Sequence, residues 1–107
     1  MGMDLSGAGG YFRWTSSGWR EVMELAEEFG WVPSRTGPPR GVRASEWDGT
    51  GAYWSNDGQR VYARDAKALA EALERALAAV PEQVPTDEAA YLREFVEYCK
   101  EGSFRLY

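Results

Sequence analysis

Histidine is absent from this 107-residue chain, and cysteine occurs once, at Cys99. The first absence excludes any mechanism that needs an imidazole base, nucleophile or metal ligand. The second excludes intrachain disulfides and the thiolate clusters that hold zinc. Basic residues are in the minority as well: 12 Lys and Arg stand against 17 Asp and Glu, for a formal net charge of -5. General nucleic-acid binders rely on a basic surface that releases counterions, so no direct nucleic-acid partner is expected. No apolar run approaches the roughly 20 residues needed to span a bilayer. The opening stretch MGMDLSGAGG has neither the basic start nor the apolar run of a secretory signal. The expectation is a cytoplasmic protein with no membrane partner.

What is present suits one compact domain spanning residues 1–107. Aromatic residues make up 14% of the chain and include five Trp, enough to build a small core from a few large side chains. Gly7, Gly9 and Gly10 lack the Lys and Ser/Thr of a phosphate loop and read as a flexible entry to a first strand, Tyr11-Phe12-Arg13-Trp14. Thr15 to Gly18 offers side-chain oxygens for a helix cap, and Val22, Leu25, Ala26 and Phe29 then recur at helical spacing up to a stop at Gly30. Residues 33–51 form a long Pro-, Gly- and Arg-bearing loop, whose Arg35, Arg40 and Arg43 precede its first acid, Glu46. Ala52-Tyr53-Trp54 and Gln59-Arg60-Val61-Tyr62 flank Ser55-Asn56-Asp57-Gly58 and read as a hairpin. A second helix is expected from about Asp65 to Ala79, with a stripe running from Leu69 through Leu73 and Leu77 to Val80. Pro81 and Pro85 punctuate a short connection, Thr86-Asp87-Glu88 opens a third helix that Gly102 ends, and Ser103–Tyr107 forms a last strand. The fold class is therefore α+β: three helices on a small, mainly antiparallel sheet in the order β-α-β-β-α-α-β. The second and third helices should pack as an antiparallel pair.

Chemistry is sparse. Cys99 shares the apolar stripe of Leu92 and Phe95 near a helix C-terminus, where the dipole disfavours a thiolate, so a buried structural thiol is expected. Glu46 and Asp48 flank Trp47, a pair of carboxylates beside an aromatic such as a glycosidase uses, but paired loop acids are common and so small a domain offers little cleft. Asp57 has a sufficient role in its turn. No ligand spacing suggests a metal, and no motif suggests a cofactor.

Three stretches taken together, Tyr11-Phe12-Arg13-Trp14 with Gly18-Trp19, Ser55-Asn56-Asp57-Gly58-Gln59 with Val61, and Phe95 to Cys99 with Gly102-Ser103-Phe104, resemble a group of small uncharacterised bacterial proteins. The resemblance spans nearly the whole chain and implies no activity. That group tends to start its second helix from a Ser or Thr cap, whereas Asp65 is the only good candidate here.

The leading functional expectation is a non-enzymatic protein-binding module or inhibitor acting on a partner with a basic surface, as an immunity protein does. Glu24 and Glu28 on the first helix, Glu94 and Glu97 on the third, and Arg40, Arg43, Trp47 and Trp54 from the loops are its candidate contacts. The alternative is a small-ligand or carbohydrate binder using the loop Trp and Arg residues. A small hydrolase ranks third, for want of histidine. Nothing in the sequence sets an oligomeric state.

Overall fold

The computed structural model describes residues 2–50, 53–79 and 86–107. Four strands, β1 (Gly2–Gly7), β2 (Gly10–Thr15), β3 (Arg60–Val61) and β4 (Phe104–Leu106), form one antiparallel sheet in the order β2-β1-β4-β3. Three helices, α1 (Ser16–Glu28), α2 (Ala63–Ala79) and α3 (Thr86–Lys100), cover one face of it. The α+β class and the mainly antiparallel sheet are as expected.

Two strand assignments change. Residues 2–7 are not an entry to the first strand but a strand themselves, lying between β2 and β4. Their alternation explains it: Met3 and Leu5 are buried, while Asp4 and Ser6 point to the other face. Gly7 lets β4 approach, since a Cβ there would meet the Ser103 carbonyl oxygen at 2.2 Å. Among the described residues the expected central hairpin is not formed. Ala52 lies outside the described residues, and Tyr53 and Trp54 sit in a turn. β3 pairs with β4, placing Arg60 opposite Arg105 and Val61 opposite Phe104. Tyr53 is withdrawn into the core, where its ring meets Trp31 edge-on at 5.3 Å and its carbonyl accepts 2.7 Å from the Trp19 indole. Gln59 closes the intervening turn with its side chain: Oε1 accepts from Asp57 N at 2.8 Å and Nε2 donates to Ser55 O at 2.7 Å.

Helix boundaries follow local chemistry. Thr15 Oγ1 accepts from Gly18 N at 3.0 Å and caps α1, within the capping stretch expected from the sequence. At its other end Trp31 N donates to Ala26 O and Gly30 N to Glu27 O around Gly30 at φ 96°, a Schellman ending that turns Trp31 into the core. α2 begins at Ala63, so Asp65 is inside its first turn and is not the cap. Lys67, Ala70 and Glu71 near the start of α2 share a groove with Cys99 and Lys100 at the end of α3, so the two helices run antiparallel, as expected. Val80 and the Pro81–Pro85 connection lie outside the described residues.

Phe95 on α3 is the hub of the core. Fully buried, it lies 5.3 Å from Phe12, 5.3 Å from Trp14 and 6.0 Å from Trp19, ring to ring. Such pairs each contribute about 0.5–1.5 kcal/mol beyond their buried area. Both sheet edges are covered. The Tyr98 hydroxyl donates to Gly10 O at 3.0 Å and the Tyr91 hydroxyl to Arg13 O on β2, while Gly37 exchanges two backbone hydrogen bonds with Arg60 on β3. Strand edges left open would invite pairing with other chains.

Candidate anion-binding site

With the helices on one face, the other face of the sheet is left to its outward-pointing residues. Strand register lines up Tyr11, Ser6, Arg105 and Arg60 as one row across all four strands. Arg13 and Asp4 form the row beside it. These two neutralise each other, Arg13 Nη1 lying 3.1 Å from Asp4 Oδ1, and the Tyr11 hydroxyl donates to the same oxygen at 2.5 Å. That hydrogen bond to Asp4 is the chief reason the Tyr11 phenol titrates above its ordinary value.

Nothing comparable neutralises the β4–β3 end. Arg60 and Arg105 are direct cross-strand partners, and like charges so placed destabilise a sheet. Among the described residues, neither they nor Arg40 from the long loop lie within ion-pair distance of a carboxylate. Their positions are instead fixed by neutral groups. Arg60 donates to Ser103 Oγ at 2.9 Å and lies 5.7 Å from the centre of the Tyr62 ring. Arg105 Nη1 donates to the carbonyls of Pro38, at 3.2 Å, and Gly58, at 2.9 Å. All three arginines line one cleft of about 430 Å³, with Ser6, Ser103 and Tyr107. Guanidinium groups are planar forks that grip phosphate and carboxylate with two parallel hydrogen bonds. The cleft thus gathers anion-binding groups, and no Asp or Glu is among its lining residues.

Of the eight residues singled out from sequence, only Arg40 lines this cleft. Glu24, Glu28 and Glu94 point to solvent from α1 and α3, and Glu97 pairs with Lys100 at 3.4 Å. Arg43 is exposed beside the short 3₁₀ turn Ala44–Glu46. Trp47 is half-buried and serves the loop, its indole donating to Thr36 Oγ1 at 3.2 Å, while Trp54 is exposed. The structure does not bring these residues together. Arg60, Arg105, Ser6 and Ser103 were missed: Ser6 and Arg105 take outward positions in the alternation of β1 and β4, Arg60 lies on the two-residue β3, and Ser103 directly precedes β4.

Two further groups serve the fold. Asp65, 2% exposed, accepts from the Tyr53 hydroxyl at 2.5 Å and from Ser34 N and Oγ at 3.3 and 3.0 Å. Burial first, and the Asp65 contact second, push the Tyr53 phenol far up. Cys99 is buried, which drives its thiol well above the ordinary range and leaves it unreactive. Among the described residues, no three His, Cys, Asp or Glu side chains gather as a metal site requires, and no helix is long and apolar enough to cross a membrane.

Comparison with protein-family models, with curated proteins and with solved structures gives no match.

Proposed function

We propose that this protein is a small binding module rather than a catalyst, and that it recognises an anionic group at the Arg40–Arg60–Arg105 cleft. The observation that carries the reading is the Arg60–Arg105 cross-strand pair: two like charges held opposite each other, beside a third, in a chain of net charge -5. Such an arrangement costs folding stability and gains from an anion. The reading develops the small-ligand alternative raised by the sequence, with Arg40 kept and the loop tryptophans set aside. The acidic faces of α1 and α3 are exposed, as on most solvated helices, and add no second reading.

Calorimetric titration with inorganic phosphate, sulfate and citrate tests it. Saturable binding that weakens with added salt and is lost in an Arg40→Ala/Arg60→Ala variant is the expected result. Equal heats for that variant and the parent protein would overturn the reading.

A further inference from the structure

The anion cleft does not end at its arginines. A second cleft, of about 420 Å³, shares Arg40 and Tyr107 with the first, of about 430 Å³, so the two form one continuous surface. Each is within the usual range for small-ligand sites, about 300–1,000 Å³. Their chemistry differs. The first is cationic and rich in hydroxyls; the second is bounded by Pro39, Asn56, Asp57 and Gly58, with the Tyr107 ring on its wall.

We propose that the occupant is a mononucleotide, its phosphate held by Arg40, Arg60 and Arg105 and its base laid on Tyr107. This rests on the anion-binding reading and supplies the other half of the ligand. Tyr107 is 45% exposed, and its ring lies beside Gly58, which takes φ 87° in the turn. A flat aromatic base is the partner such a ring takes. Asn56 supplies an amide donor and acceptor, and the Asp57 carboxylate accepts from an exocyclic amino group while repelling a second anion. Both sit on the turn that the buried Gln59 side chain closes, so the backbone that carries them is fixed before any ligand arrives. A nucleic-acid strand fits less well than a single nucleotide: Asp57 and the net acidity of the chain oppose a run of phosphates.

The test compares the dissociation constants of cytidine monophosphate, adenosine monophosphate, the two nucleosides, inorganic phosphate and phosphoethanolamine for the full chain. The nucleotides should bind about fivefold or more tightly than phosphate or phosphoethanolamine, as one base stacked on an aromatic ring contributes at least that. Tyr107→Ala should bring them down to the phosphate level, and Tyr107→Phe, which keeps the ring, should not. Nucleotide and phosphate binding with equal affinity would overturn the mononucleotide and leave the anion site standing, as would phosphoethanolamine matching the nucleotides. Binding by neither, or binding indifferent to Arg40→Ala/Arg60→Ala, would overturn both.

Discussion

Asp65 shows how one buried acid can organise a distant loop. Its carboxylate takes hydrogen bonds from Ser34 and Tyr53, which lie 31 and 12 residues away in sequence. Replacing it with Ala leaves the buried Tyr53 hydroxyl without its acceptor, at a cost of about 1–3 kcal/mol, while the exposed Ser34 donors turn to water. Asp65→Ala should therefore lower the chemical-denaturation midpoint sharply, and an unchanged midpoint would show the contact to be dispensable. Three buried weak acids set the alkaline behaviour. Burial pushes the Tyr98 phenol from 10.0 up to about 12, and the Tyr53 phenol and Cys99 thiol upward as well. The folded chain thus keeps protons that the unfolded chain releases above its ordinary values of 9.0 for the thiol and 10.0 for the phenols. Stability is fully present below those values and falls as pH rises through the folded ones. Urea midpoints at pH 8 and pH 11 should differ, and Tyr98→Phe should narrow the difference. In thiol labelling, Cys99 should react slowly in the native protein and quickly in denaturant; fast native labelling would contradict its burial.

At the scale of elements, β1 decides both the sheet and the site. It supplies Leu5 to the core and Ser6 to the cleft, from a stretch whose glycines suggest an unstructured entry. Leu5→Ala should cost about 2–5 kcal/mol, the range for a large-to-small change in a core. Gly7→Ala should unpair β1 from β4, which amide exchange at Asp4 and Tyr107, hydrogen-bonded to each other across that seam, would detect. The helices were legible because their apolar residues recur at a helical period and their ends carry caps, Thr15 and Gly30 among them. Three strands were legible too, from the aromatic and branched runs at Tyr11–Trp14, Gln59–Tyr62 and Ser103–Tyr107; β1 was not, since Met3 and Leu5 alone give too little alternation to read unaided. Tyr53 misled for another reason. Its strand-forming character was overridden by a buried partner, Asp65, that only the tertiary fold brings to it. The cleft stayed hidden on the same grounds: Arg40, Arg60 and Arg105 are far apart in the chain, and strand register is what gathers them.

Across the whole molecule, charge is divided by layer. The carboxylates of α1 and α3 lie on the helical side, while the β4–β3 end of the sheet's other face carries Arg60 and Arg105, which no carboxylate neutralises among the described residues. This division predicts a trade between stability and binding. Arg60→Glu replaces a like-charged cross-strand pair with an opposite one and should raise stability by about 0.2–1 kcal/mol. The same change should abolish anion binding. A variant both less stable and still competent would contradict the role given to the pair. Conversely, saturating phosphate should raise the melting temperature of the parent protein and leave that of Arg60→Glu unchanged. The most direct measurement is a phosphate titration followed by nuclear magnetic resonance at low salt, reading the backbone amides and the arginine side chains together. The account predicts saturable shifts confined to Arg40, Arg60 and Arg105 and to the amides around Ser6, Gly58 and Ser103, absent in Arg40→Ala/Arg60→Ala. Shifts scattered over the surface, or centred on the helices, would contradict it.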